Sequence, residues 1–226
     1  MPLFSNLPAA RLTLSYLIHD PSSILPHAQV PTLLFLPLPL SAALPSQPSP
    51  PVRALVLDKD NTLCPPETTM MHPTYLTKLD KIRSCLEFSH SSHSILIVSN
   101  TAGSTASAVH EAEAKALEAE LGIPVLRQHP ERRKPFCGPD VLKYFSDHGV
   151  TSNPAEIVVV GDRLGTDVVM AREMGAWSLW VRDGFRNPEM PGRDYRGSLA
   201  KMEVRFERLL RGGLGKRAPF PKGFPS

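Results

Sequence analysis

The sequence predicts an α/β protein with an open, doubly wound, mainly parallel sheet, and three short runs carry that prediction. Arg53-Ala-Leu-Val-Leu-Asp58, Ser94-Ile-Leu-Ile-Val-Ser99 and Glu156-Ile-Val-Val-Val-Gly-Asp162 each have an unbroken apolar middle and end in a polar residue. Continuous rather than alternating apolarity is what a strand needs when helices cover both faces of its sheet. Helical patterns lie between the runs. Residues 74–89 form the first, and 105–121, opened by a Ser/Thr cap region and rich in Ala and Glu, the second. Two more, 140–148 and 166–174, run into Gly149 and Gly175 as C-terminal stops. A further strand is expected over 177–181 and a last helix over 198–210. Strands and helices alternating in this way give right-handed crossovers, and such sheets take their ligands at the carboxyl ends of the strands.

With 226 residues the chain has room for one domain with tails. The expected division is a Pro/Leu-rich segment over 1–50, the domain over 51–211 and a basic, flexible tail over 212–226. The 24 prolines crowd the first fifty residues and return in the last eight. Leu3, Leu7, Ala10, Leu14 and Leu17 recur at spacings of three or four, which fits a helix lying in a membrane surface or packed on its own domain. The apolar stretch 33–44 has three readings: membrane contact, cover for a sheet edge, or a homo-oligomer interface. Pro37 and Pro39 interrupt it, which argues against a spanning helix. As a targeting sequence the N-terminus is weak, with Arg11 its one early basic residue. A net charge of +3 without a dense basic stripe argues against nucleic acid as a partner. Cys64, Cys85 and Cys137 lack zinc-ligand or redox spacing and suggest a reducing compartment.

The chemistry gathers at the ends of the three runs. Asp58 and Asp60 stand two apart just past a strand, so an extended backbone points both carboxylates to one side. Carboxylates held close repel, and a hard divalent cation such as Mg2+ relieves that repulsion. Ser99-Asn-Thr-Ala-Gly103 offers a hydroxyl and backbone donors ahead of a helix, which suits a phosphate. Lys134, before Pro135, can place a fixed positive charge on a phosphoryl group. Asp162 and Asp167 supply more carboxylates.

These four elements in this order resemble the motifs of the haloacid dehalogenase superfamily of phosphohydrolases, over residues 52–183. The resemblance implies Asp58 as nucleophile and Asp60 as general acid and base. It implies Mg2+ held by Asp58, the carbonyl of Asp60 and Asp162, with Asp167 supporting the metal waters or orienting Lys134. Ser99 and Lys134 would stabilise the equatorial phosphoryl oxygens. The superfamily's cap domains sit between its first and second, or second and third, motifs. Here those gaps, about forty residues from Asp60 to Ser99 and about thirty-five from there to Lys134, are filled by a helix and its connections. A capless, open site for a large or membrane-presented substrate is expected.

Longer strings narrow the resemblance. Val56-Leu-Asp-Lys-Asp-Asn-Thr62, Leu96-Ile-Val-Ser-Asn-Thr-Ala-Gly103, Gly122-Ile-Pro-Val-Leu-Arg127, Val160-Gly-Asp-Arg-Leu-Gly-Thr-Asp167 and Trp180-Val-Arg-Asp-Gly184 closely resemble the mitochondrial phosphatidylglycerophosphate phosphatase family. That family removes the terminal phosphate from its lipid to leave phosphatidylglycerol, a step toward cardiolipin. The resemblance implies a peripheral enzyme on the matrix side of the mitochondrial inner membrane with an anionic phospholipid as partner. The substrate-binding set taken with it is Thr62, Asn100, Thr101 and Arg163. Arg163 could meet the lipid phosphodiester or form a surface ion pair, and Lys59 could do the same or serve structure. His129, Arg132 and Arg133 form a basic lip on the way to Lys134. Two other readings stand beside this one: a capless phosphatase of soluble or macromolecular phosphates, and a binding module that has lost catalysis. Intact Asp58, Asp60, Ser99, Lys134 and Asp162 speak against the second.

Overall fold

Five parallel strands form one sheet in the order β1-β5-β4-β2-β3 in the computed structural model, which describes residues 7–45, 51–105, 107–221 and 224. In chain order the elements are α1 (Leu7–His19), β1 (Ala28–Val30), β2 (Ala54–Leu57), α2 (Pro73–Arg83), β3 (Ile95–Ile97) and α3 (Ala108–Leu121). They continue with α4 (Gly138–Asp147), β4 (Ile157–Gly161), α5 (Val169–Met174), β5 (Trp177–Val181) and α6 (Ser198–Arg208). The doubly wound α/β architecture expected from the sequence is present, and every strand pairing is parallel.

The apolar runs are continuous because both faces of the sheet are covered. Leu55 and Leu57 of β2 point into one core with Ile95, Ile97, Val158 and Val160, under α2 and α3. Ala54 and Val56 point the other way, to Leu96, Val98, Ile157 and Val159 under α4 and α5. Helix ends follow their signals. Pro73 opens α2 behind His72, Ser107 accepts a hydrogen bond from Val109 N at 3.2 Å at the head of α3, and Gly122 ends that helix at φ 59°. α2 stops at Arg83, short of the expected residue 89. The last expected helix runs two residues short as α-helix and continues as a π-turn over Leu209–Gly213.

Of the three readings of 33–44 the structure fits cover for the sheet, and the ends are tied to the domain more closely than the expected division has them. The apolar stretch 33–44 is part of the domain's core: Leu33, Leu36, Leu40 and Leu44 belong to the cluster that includes Leu55 and Leu57. Its backbone polar groups find partners there too, since Leu40 N and Ser41 N donate to the Glu87 carboxylate and Lys78 Nζ donates to Leu36 O. β1 was not foreseen at all; three residues long, it adds the outer strand beside β5. A boundary at residue 50 therefore divides no core. The C-terminal tail is likewise anchored, because Phe220 and Phe224 meet Trp177 edge-on, with ring centroids 5.9 and 5.0 Å away. His27 binds Pro219 O through Nε2 at 3.0 Å. Leu3 and the proline run 46–50 lie outside the described residues.

Leu40 is fully buried. Leu40→Ala is expected to cost about 2–5 kcal/mol in urea unfolding; a residue of a detached membrane-contacting segment would change stability by less than about 0.5 kcal/mol.

Candidate active site

The winding of the sheet reverses between β2 and β4. From β2 the chain first adds β3 on one side, then returns to add β4 on the other. Asp58 is the first residue past β2 and still donates its N–H to Val160 O at 2.9 Å; Asp162 is the first past β4. The switch point thus sets two carboxylates side by side at the carboxyl edge. A third, Asp167, comes from the turn that follows β4. It can lie so close because residue 161 is glycine: a Cβ there would fall 2.3 Å from Asp167 Cγ. Asp58, Asp162 and Asp167 are all buried and offer oxygens within 4.8 Å of one another.

Lys134 enters this cluster from the opposite loop. Its Nζ donates to Asp58 Oδ1 and, at 2.7 Å, to Asp167 Oδ1, and its N–H donates to Asn100 Oδ1 at 3.0 Å. Thr62 Oγ1 donates to Asp58 Oδ2 at 3.3 Å, so the nucleophile candidate is held through both oxygens. Burial raises the Asp58 carboxyl; Lys134 opposes it and the charges of Asp167 and Asp60 add to it, leaving it at about 7. Asp162 is raised for the same reasons, burial first and then Asp58 and Asp167. Lys134, although burial disfavours its charge, is held protonated by Asp167 and Asp58. Carboxylates that resist ionising together, with oxygens already converging, are a donor set that fits a hard divalent cation.

Asp60 sits apart from that cluster. Its Oδ1 accepts from Lys59 Nζ at 2.7 Å and Glu67 N at 3.1 Å, and its Oδ2 accepts from Thr101 Oγ1 at 3.2 Å. Thr101 in turn contacts Ser99: Oγ to Oγ1 is 3.0 Å, and Thr101 N donates to Ser99 Oγ at 3.1 Å. Asp60, Thr101 and Ser99 therefore form one chain of hydroxyls and carboxylate beside Asp58, the arrangement a proton donor and a phosphate cradle require.

Three of the expected residues do other work. Lys59 is wholly buried and cannot meet a lipid; its ammonium returns to Asp60 and to Thr68 O at 3.0 Å. Thr62, also wholly buried, spends its hydroxyl on Asp58 and orients it in place of touching substrate. Arg163 forms an ion pair with Glu203 at 3.3 Å. The basic lip is partly engaged as well, with Arg132 on Asp140 at 2.9 Å.

Residues the sequence reading passed over complete the site. Asn61, at φ 61°, donates to Asp162 Oδ2 at 2.6 Å and accepts from Phe185 N at 3.2 Å. Its place depends on Gly184, where a Cβ would fall 2.3 Å from Asn61 Nδ2. Asparagine is one of the few residues at ease in a left-handed conformation, which is the signal that could have marked it. Gln128 Nε2 donates to Ser99 O from the far side of the sheet edge, and nothing local in the sequence announces that contact.

Lys59→Met is expected to lower kcat by about tenfold to a hundredfold by loosening Asp60. Steady-state kinetics beside a thermal melt separate this loss from unfolding.

The rim is open. Residues 58–94 hold α2 and its connections, and α3 is the helix between β3 and the loop of Lys134, with no separate cap among the described residues. A cleft of about 440 Å³, lined by Arg83, Phe88 and Ile95, lies by the start of β3, away from these groups. No helix among the described residues is long and apolar enough to cross a membrane.

Comparison with known proteins agrees with this geometry. Phosphatidylglycerophosphatase GEP4, mitochondrial, from Saccharomyces cerevisiae is 40% identical over 194 residues, covering 86% of this chain and 93% of that one. The probable mitochondrial phosphatidylglycerophosphatase of Schizosaccharomyces pombe is 31% identical, over 75% of this chain and 79% of its own. Phosphatidylglycerophosphate phosphatase 1, chloroplastic/mitochondrial, of Arabidopsis thaliana is 31% identical over 75% of this chain and 44% of its own. The profile described as mitochondrial PGP phosphatase matches residues 8–186, and the chain belongs to that family.

Proposed function

We propose that the protein is a phosphatidylglycerophosphate phosphatase, releasing the terminal phosphate of its lipid to leave phosphatidylglycerol through an aspartyl-phosphate intermediate. The observation that carries this reading is the pairing of a buried, doubly held Asp58 with a second carboxylate, Asp60, two residues on and free of the three-carboxylate cluster. Family membership and the names of the relatives support the lipid as substrate.

Asp58 attacks phosphorus through a carboxylate oxygen, and the phosphoester P–O bond breaks as Asp60 gives its proton to the leaving glycerol oxygen. Asp60 then takes a proton from water, which attacks the phosphorus of the aspartyl phosphate; the P–O bond to Asp58 breaks and inorganic phosphate leaves. Lys134 and the hydroxyls of Ser99 and Thr101 face the phosphoryl oxygens, with Asn100 fixing the Lys134 backbone. Asp58, Asp162 and Asp167, with the carbonyl of Asp60, are the groups that would hold Mg2+. When bound, that ion neutralises the crowded carboxylates and draws charge from the phosphoryl oxygens. The reading extends to location: a peripheral protein on the matrix side of the mitochondrial inner membrane. The relatives' names support the organelle.

The test is phosphate release, with and without magnesium, from phosphatidylglycerophosphate in mixed micelles, beside phosphatidic acid, a phosphopeptide and a nucleoside monophosphate. Selective, magnesium-dependent release from the glycerophosphate lipid is expected. Release from the soluble phosphates alone would keep the chemistry and overturn the substrate.

A further inference from the structure

We infer that α1 and α6 together form the face by which this protein lies on an anionic bilayer, an inference that names the partner surface and rests on the lipid reading above. Both helices expose apolar stripes. On α1, Leu14 is 56% and Ile18 66% exposed, four residues apart and so on one side of the helix. On α6 and its continuation, Met202, Phe206 and Leu209 are 44%, 37% and 56% exposed, at spacings of four and three. Large apolar side chains in line on a surface mark an interaction site.

Charge selects the occupant. α1 contains no carboxylate, and both acids of α6 are turned inward: Glu203 binds Gly165 N at 3.1 Å and pairs with Arg163, while Glu207 pairs with Arg211. Arg205 and Arg208 remain exposed on the outer side of α6, with Arg11 on α1. Apolar stripes bordered by arginines match an anionic lipid surface, and the exposed carboxylate beside α1, Glu173, is engaged by the Tyr16 hydroxyl. A second copy meeting this face would set the same arginines against one another.

α1 and the π-turn that continues α6 share a small core of Leu12, Tyr16 and Leu17 with Leu210. The two helices also grip the same point of the chain: Thr13 Oγ1 lies 3.4 Å from Gly165 O, and Glu203 holds Gly165 N. Gly165 stands between Asp162 and Asp167. The outer face of α1 and α6 is therefore tied, through their inward side chains, to the turn that builds the site.

The experiment is flotation of the full chain with vesicles of phosphatidylcholine alone and of equimolar phosphatidylcholine and phosphatidylglycerol. The wild type is expected to float with the anionic vesicles only. Leu14→Ser with Phe206→Ser, and separately Arg205→Glu with Arg208→Glu, should each lower that partition more than about tenfold. Both double variants should keep wild-type hydrolysis of p-nitrophenyl phosphate in solution, which verifies folding. Binding indifferent to phosphatidylglycerol, or unchanged in both variants, overturns the inference. So does light scattering that finds a wild-type dimer made monomeric by Leu14→Ser with Phe206→Ser. Flotation is read without turnover, so a protein that binds as expected yet releases no phosphate supports the surface and overturns only the phosphatase reading.

Discussion

Asp58→Asn is expected to reduce turnover at least about a thousandfold while leaving the fold intact. The amide occupies the same space, and its oxygen can still accept from Lys134 while its NH2 donates to the Thr62 hydroxyl, but it is no nucleophile. Its effect on stability should run opposite to its effect on rate. Burial and neighbouring carboxylates raise Asp58 from 3.8 to about 7, so between those values the folded protein holds a proton that the unfolded chain releases. In the absence of a divalent cation, stability from this group is present at low pH and is lost as pH rises from about 4 through about 7. The Asp58→Asn protein lacks that component. With a chelator present, its unfolding midpoint should fall less steeply with pH than that of the wild type, and thermal melts between pH 4 and 8 measure the difference. Equal slopes would mean that Asp58 is not the carboxyl taking up that proton.

The second large effect belongs to Lys134. Its ammonium joins Asp58 to Asp167 in a space where both carboxylates are buried. Lys134→Met is expected to remove those contacts, leaving Asp58, Asp162 and Asp167 to face one another. Removing one partner from a buried ion pair costs about 3–5 kcal/mol. Loss of a donor to developing phosphoryl charge lowers kcat by about a hundredfold to a thousandfold. Magnesium should restore part of the lost stability and little of the rate. Melts of the variant with and without magnesium check the first half, and saturating-substrate kinetics the second. A variant equally unstable in both conditions would count against these carboxylates as the magnesium ligands.

The sheet was legible because β2, β3 and β4 are apolar throughout and β5 is interrupted only by Ser178, a pattern suited to a doubly covered parallel strand. The reactive carboxylates were legible for a related reason: each follows directly on such a run or on its turn. β1 was hidden by its shortness; Ala28-Gln29-Val30 has no pattern to detect and is a strand because β5 offers it an edge. The Leu/Pro segment stayed open among three readings because composition measures apolarity and not its destination; cover for the sheet is the reading the core fits. Prolines that forbid a spanning helix suit the short turns that lay Leu33, Leu36 and Leu40 on the sheet. Removing residues 1–45 would accordingly strip the core and could not test membrane contact. Of the two readings of Lys59 the structural one fits, because a long flexible stem lets its ammonium come back to Asp60. The roles of Asn61, Gln128 and Glu203 rest on pairings across tens of residues, visible only once the chain is folded.

The meeting of β1, β5 and the C-terminal aromatic residues at one edge of the sheet bears on the order in which the chain can be made. His27 and Ser178 contact each other across 151 positions, and His27 and Pro219 across 192. During synthesis the segment around His27 must wait for a partner made 192 positions later. Until then His27 and the short strand β1 lack the partners that hold them on the sheet. Contacts so distant in sequence slow folding and prolong the exposure of sticky surface. The nascent protein should therefore depend on whatever shields the edge that β1 will occupy until Trp177 and Phe220 arrive to close the seam.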